Sequence, residues 1–270
     1  METILVNKFN LKKVQEKAPA CVMALGFFDG VHIGHQKVIK TAKAEADRQG
    51  LPLALMSFAT HPINVLLKGE RRVGNLTTLC TKKEKLEQLG VELFYLVEFT
   101  ESFSNLKPSE FVKEYLIKLN VKHSVAGFDY CFGKMGVGKL SEIPTYSNNR
   151  ISITEVECLE FEGEKVSSTA IRQRLQSGLV HEIPNFLGHH YCSKVEIENQ
   201  YITILEDTMI PIYGQYRVNL KQEDRSIIVD LSVNRYGIIQ CLQSPELQGK
   251  VTIEWLEFTP QPITRIVQEV

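Results

Sequence analysis

No two cysteines in this 270-residue chain stand in a C-x-x-C pair. The six that exist, Cys21, Cys80, Cys131, Cys158, Cys192 and Cys241, are scattered, most of them inside apolar runs. That spacing excludes the usual zinc and redox signatures and the disulfide framework of a small secreted chain. It predicts buried free thiols in a reducing compartment. No apolar run approaches the roughly 20 residues that a membrane span needs. The opening METILVNKFNLKK turns polar too soon for a signal peptide, so a soluble, cytoplasmic protein is expected. Net charge is also lacking: 31 basic side chains face 32 acidic ones. A strongly basic duplex-binding surface is therefore not expected, although a local patch stays open. There is no internal repeat, low-complexity tract or long linker.

Ordinary core material is present, with 43% hydrophobic and 23% charged residues. Apolar runs at Cys21–Gly26, Leu51–Phe58, Val91–Phe99, Val121–Gly127 and Ile151–Cys158 read as strands. Helical patterns separate them. Gln36–Arg48 carries Val38, Ile39, Ala42 and Ala46 on one face and stops at Gly50, a C-terminal cap. The stretch Thr81 to Glu84 reads as a capping box. Pro108 suits a first helical turn, and Phe111, Val112, Tyr115, Leu116 and Leu119 share a face. Strand–helix alternation predicts an α/β fold with a parallel sheet. Past Gly188 the pattern changes. Ser193–Glu198, Ile210–Leu220, Ser226–Val233 and Lys250–Phe258 read as short strands of a small antiparallel barrel. Two domains follow, 1–188 and 189–270.

The stretch GFFDGVHIGH (residues 26–35) lies where a strand gives way to a helix, the edge at which parallel sheets bind ligands. His32 and His35 share a helical face if both join the first turn. Free N–H groups and the helix dipole favour an anion there. Gly26, Gly30 and Gly34 allow close backbone approach. A metal site and a plain structural turn are the alternatives. The first lacks a third ligand at a recognised spacing, and a phosphate cradle is favoured. Small hydroxyls open a helix over Thr169–Leu175, which Ser167 or Ser168 can cap. Lys165 precedes it and Arg172 follows one turn later. This is either a simple N-cap or a set of donors for a polyphosphate. Phe58, His61 and Pro62 follow a strand and are either a turn or a substrate contact. Asp129 suits a ribose or a metal-bound phosphate, while Phe128, Tyr130 and Phe132 read as core.

Together, G-x-F-D-G-x-H-x-G-H (26–35), F-x-x-H-P (58–62), V-x-G-x-[DN]-[FY]-x-F-G (125–133) and S-S-T-x-I-R (167–172) resemble the bacterial FAD synthetase family. These are the riboflavin kinase/FMN adenylyltransferase enzymes. The resemblance covers residues 1 to about 188, in order. It implies a Rossmann-like nucleotidyltransferase fold and the reaction of ATP with FMN to give FAD and pyrophosphate, with Mg2+. His32, His35 and Arg172 are then the catalytic residues. Gly26, Phe27, Asp29, Gly30, Gly34, Asp129, Lys165, Ser168 and Thr169 bind nucleotide, and Phe58, His61 and Pro62 lie on the flavin side. No resident metal ligands, nucleic-acid partner or membrane contact are implied.

Residues 189–270 resemble a reduced form of the family's kinase barrel. Its G-F-P-T-A-N signature is missing, and Glu198 to Ile204 stands in its place. Loss of kinase activity is expected. The alternatives are a bifunctional enzyme, another adenylyltransferase and a flavin-binding regulator.

Overall fold

The computed structural model describes residues 1–67, 73–243 and 246–259. It divides into two compact units, Met1–Val166 and Ser167–Val270.

In the first unit the apolar runs form strands covered on both faces. β1 (Glu2–Val6), β2 (Cys21–Leu25), β3 (Leu53–Phe58), β4 (Leu93–Val97), β5 (Val121–Gly127) and β8 (Ser152–Val156) make one sheet, in the order β1-β4-β3-β2-β5-β8. Every pairing is parallel. Side chains alternate between two faces, as a strand's two-residue period requires. Val22, Ala24, Leu53 and Leu55 pack with Val38, Ile39, Ala42 and Ala46 of helix α2 (Ile33–Gln49) and with Leu86 of α4 (Leu79–Gln88). Met23, Leu25, Ala54 and Met56 join Tyr95, Phe111, Tyr115 and Leu116 in a separate cluster. The chain runs from β2 to β3 and β4, then crosses back to place β5 on the other side of β2. That reversal puts the topological switch point between β2 and β5, at whose carboxyl ends ligands bind in open parallel sheets.

The remaining elements of this unit are small. α1 (Leu11–Lys17), α3 (Pro62–Leu66), α5 (Glu101–Ser104) and α7 (Ile143–Tyr146) fill connections, as do the hairpins β6–β7 (Cys131–Phe132, Gly138–Lys139) and β9–β10 (Glu160–Phe161, Glu164–Lys165). Pro108 opens α6 (Pro108–Phe111), which widens into a π-turn over Val112–Ile117. The predicted face of Phe111, Val112, Tyr115, Leu116 and Leu119 is buried.

Two expectations need correction. The N-cap of α4 is Thr78, whose Oγ1 accepts the Thr81 N–H at 3.2 Å. The predicted box at Thr81 is one turn too late, because Leu79 and Cys80, though exposed, already belong to the helix. The cysteines are free, but Cys80 and Cys131 are exposed, and only Cys21 and Cys241 are buried. Membership of an apolar run does not decide burial at a loop or a first helical turn.

In the second unit α8 (Ser168–Ser177) and α9 (Pro184–Leu187) precede a closed antiparallel barrel. Its strands are β11 (Tyr191–Glu198), β12 (Tyr201–Ile204), β13 (Gly214–Gln222), β14 (Arg225–Val233), β15 (Ile239–Cys241) and β16 (Gly249–Thr259). They follow the order β11-β12-β15-β14-β13-β16. Closure removes the free edges that would invite another chain. Alternate residues point inward: Tyr191, Ser193, Val195 and Ile197 from β11, and Val251, Ile253 and Trp255 from β16. Trp255 is fully buried and meets Tyr216 edge-on at 5.2 Å between centroids. Its indole N–H donates to Ser193 Oγ at 3.0 Å, so the one polar atom of the ring is satisfied. Among the described residues no helix is long and apolar enough to cross a membrane.

Candidate functional site

The turn leaving β2 is strained and heavily braced. Phe28, Gly30 and Val31 all have positive φ, at 53°, 80° and 48°. Glycine adopts that conformation freely. A buried aromatic and a β-branched residue do so only when their surroundings hold them, at about 1–3 kcal/mol each. Phe28 and Val31 are each 1% exposed. The bracing comes from behind. Leu76 and Thr77 donate their N–H groups to the buried Asp29 carboxylate, at 3.0 and 3.4 Å. The Gly30 N–H donates to Thr77 Oγ1 at 3.3 Å. The Phe27 carbonyl accepts from Ser57 Oγ at 2.7 Å and from Lys82 Nζ at 2.6 Å. The structure therefore places Asp29 beneath the turn, holding its shape.

The turn delivers His32 to the N-cap of α2. Its Nδ1 accepts the His35 N–H at 3.2 Å, which leaves the ring proton of the neutral form on Nε2. The His35 ring stacks on that of His32, with centroids 3.5 Å apart and planes 17° from parallel, and Phe28 meets it edge-on at 5.2 Å. Gly34 leaves room beside the stack: a Cβ there would press against the His32 ring at 3.2 Å. Burial lowers the His32 pKa to about 4. Lys165 adds to that effect and Asp129 opposes it. Burial, then the charges of His32 and Lys82, hold His35 well below the ordinary value. His35 Nδ1 is buried without a hydrogen-bond partner. Two neutral imidazoles thus sit at the positive end of a 17-residue helix, a place suited to an anion.

Asp129 and Lys165 form an ion pair beside this turn, and Lys165 Nζ lies 4.7 Å from the Phe128 ring centroid. Phe128 is 46% exposed. It is not core as expected, because it falls past the end of β5, where the chain leaves the sheet. Phe132 is buried, and Tyr130 is partly buried against the core. His61 caps α3 through Nδ1, which accepts the Ile63 N–H at 3.3 Å, and its ring meets Phe27 edge-on at 4.7 Å. Pro62 is the first residue of that helix. Phe58 packs edge-on against Phe99 and Phe103. The structure thus brings Gly26, Phe27, Gly30, His32, Gly34, His35, Phe58, His61 and Pro62 to the carboxyl ends of β2 and β3. Asp129 and Lys165 reach the His32 side.

Ser168, Thr169 and Arg172 lie in the second unit, in the first turns of α8. The cap there is Ser167, whose Oγ accepts the Ala170 N–H at 3.1 Å. Sequence reasoning missed Ser57 and Lys82. A signal for the second existed: Lys82 and Leu86 are four apart on one helix, so a lysine shares the face that Leu86 buries. Among the described residues no group of three or more His, Cys, Asp or Glu side chains could hold a metal ion.

A family model described as FAD synthetase matches residues 14–170. The chain is 42% identical over 212 residues to the bifunctional riboflavin kinase/FMN adenylyltransferase of Listeria monocytogenes. That match covers 74% of this chain and 68% of the relative. With the Bacillus subtilis protein of the same description, identity is 44% over 181 residues, covering 67% and 57%. A second Listeria monocytogenes protein, described as FAD synthetase alone, is 33% identical over 240 residues, covering 86% of this chain and 94% of that one. Among solved structures, one described as a macrolide-efflux protein from Streptococcus pneumoniae superposes with a TM-score of 0.83 at 26% identity. It covers 96% of this chain and 91% of the other.

Proposed function

This chain belongs to the FAD synthetase family, and from that premise we propose that it transfers AMP from ATP to FMN and has lost riboflavin kinase activity. An oxygen of the FMN phosphate attacks the α-phosphorus of ATP. The bond from that phosphorus to the bridging oxygen breaks, and pyrophosphate leaves. The attacking phosphate is already anionic, so no general base and no covalent intermediate are needed. Magnesium enters with the substrate as MgATP.

The observation that carries this reading is the stacked His32–His35 pair on a braced turn at the start of α2. Their N–H groups and the helix end are preorganised toward charge that moves onto the leaving pyrophosphate. The His32 proton is fixed on Nε2 because Nδ1 is engaged by backbone. Lys165 adds a cation beside Asp129. We assign nucleotide contacts to Gly26, Phe27, Gly30, Gly34, Asp129 and Lys165, with Asp29 of the same expected set serving through the turn it braces, and flavin contacts to Phe58, His61 and Pro62. Ser168, Thr169 and Arg172 join the nucleotide set on the strength of the S-S-T-x-I-R motif. For the same reason α8 is grouped with the transferase as residues 1–188, leaving the barrel as 189–270. ATP and FMN are its partners, and the cytoplasm is its expected place.

Loss of the kinase is supported by β11 and β12. Glu198 pairs with Tyr201 across the two-residue turn Asn199–Gln200, and 201–204 is regular antiparallel strand. A tight hairpin thus stands in the place of the missing G-F-P-T-A-N signature. The greater coverage of the relative described as FAD synthetase alone agrees with this.

The test is to incubate the protein with MgATP and either FMN or riboflavin, then separate the flavins by chromatography. FAD from FMN, with riboflavin unchanged, is expected. Phosphorylated riboflavin would overturn the loss of the kinase. Absence of FAD from FMN would overturn the transfer.

A further inference from the structure

Lys82 is a cation in the interior, only 5% exposed. Its Nζ donates to the Phe27 carbonyl at 2.6 Å and to Ser57 Oγ at 3.1 Å, and it sits 4.6 Å from the Phe27 ring centroid. All of these partners are neutral. Ser57 Oγ donates to the same carbonyl, so the three groups close a small triangle beneath the turn. Asp29 favours the charge from farther away, but its carboxylate is engaged by the N–H groups of Leu76 and Thr77.

This arrangement is costly if it serves stability alone. A buried ion gains back its lost hydration only from well-placed opposite charge, and packed apolar side chains often do as well or better. The carbonyl already has the Ser57 hydroxyl as a donor. What an apolar or neutral side chain cannot provide is a positive charge behind the carboxyl ends of β2 and β3. That charge is felt at His35, at the start of α2.

We infer that Lys82 is a positioning residue for AMP transfer: a buried cation that anchors the Phe27 carbonyl and awaits its counter-charge from the substrate's phosphates. The inference rests on the transferase reading. In the free protein the charge is under-compensated, and burial lowers its pKa to about 8. Bound polyphosphate supplies the missing negative charge, so ligand binding and the Lys82 charge favour each other. The Phe27 ring, held under the ammonium, also meets His61 edge-on. One side chain therefore steadies both the phosphate turn and the ring beside the F-x-x-H-P stretch.

Two variants test this. Lys82→Met removes charge and hydrogen bonds, while Lys82→Gln removes the charge but keeps an N–H donor on a slightly shorter side chain. Steady-state FAD synthesis and thermal melting with and without MgATP are measured for both and for the unaltered protein. Both variants are expected to melt within about 3 °C of the parent when no ligand is present. Their kcat should fall roughly ten- to hundredfold, with the KM for FMN changed by less than about threefold. The rise in melting temperature on adding MgATP should shrink in both. If Lys82→Gln keeps the parent's kcat and ligand-induced shift, the charge does not matter and the inference fails. If both variants lose their fold, the worth of Lys82 is structural and the inference fails as well. If the unaltered protein makes no FAD, the transferase reading beneath it fails instead.

Discussion

The two units bury their polar groups on different terms. Of the buried polar and charged side chains among the described residues, Asp29, His32, Ser57, Lys82, His123, Ser124 and Ser147 belong to the first unit and only Ser193 to the barrel. Ser193 is there for the Trp255 indole, a local repayment within a packed interior. In the first unit, Asp29, His32, Ser57 and Lys82 crowd around one turn at the carboxyl ends of β2 and β3. That turn also holds two non-glycine residues at positive φ. Strain and buried charge lower stability, and a fold keeps them together where they prepare a surface for something else. Among the described residues the barrel's interior is otherwise built from apolar packing.

Three experiments press on this contrast. The largest effect is expected from Trp255→Ala. It should cost the barrel about 3–5 kcal/mol in chemical denaturation, with FAD formation per folded molecule unchanged. A fall in turnover that outruns the loss of folded protein would mean that the barrel's interior also serves the reaction. Next, His35→Ala should lower kcat roughly 10²–10³-fold while flavin binding stays near normal, and His32→Ala should do the same. Near-parental turnover in both would reduce the histidine stack to a packing feature.

The smallest effect is a pH dependence. The folded-state pKa of His32 lies near 4, below its ordinary value near 6.5, so protons bind the unfolded chain better. Stability from the neutral ring is present above pH 6.5 and is lost as pH falls toward 4, by about 2–4 kcal/mol in all. His123 adds in the same direction: burial lowers its pKa, although Glu45 pulls the other way. Saturating MgATP should blunt the acid loss, because phosphate favours the protonated rings. Melting curves from pH 7 to 4.5 with and without MgATP read both. An unchanged acid slope in His32→Gln would remove His32 as its source.

Much of this was legible in the sequence, and the failures share a cause. Val121–Gly127 is read as a strand and is one, residue for residue. Gly50 ends α2 in the left-handed conformation that its position implies. Apolar periodicity and glycine caps are local properties, so local patterns report them. The motif residues 26–35 also lie at the strand-to-helix junction where they were expected. Thr78 and Thr81 both satisfy the local rule for a cap, and it is Thr78 that accepts the N–H three residues on. Phe128 looks apolar, but its position past the sheet exposes it. Strand β1 went unread because its identity comes from pairing with residues 93–97, far along the chain. Lys82 was missed for a related reason. On a helix a lysine reads as solvated, and the groups that hold it inside are 55 and 25 residues away.

The same distances bear on how the protein is made. Asp29 meets its partner N–H groups 47 residues later, and the Phe27 carbonyl meets Lys82 only after 55. While the chain leaves the ribosome, Asp29 lacks its partners until residue 77 has emerged, and the Phe27 carbonyl lacks the Lys82 ammonium until residue 82 has. β2 and β3 appear early, yet their outer neighbours β4 and β5 come later still. A growing chain of some 75 residues therefore carries apolar strands with open edges and a turn it cannot hold, a stage at which chains are prone to associate. The part of the molecule most finely set for chemistry thus cannot become ordered until 47 to 55 residues after it is made.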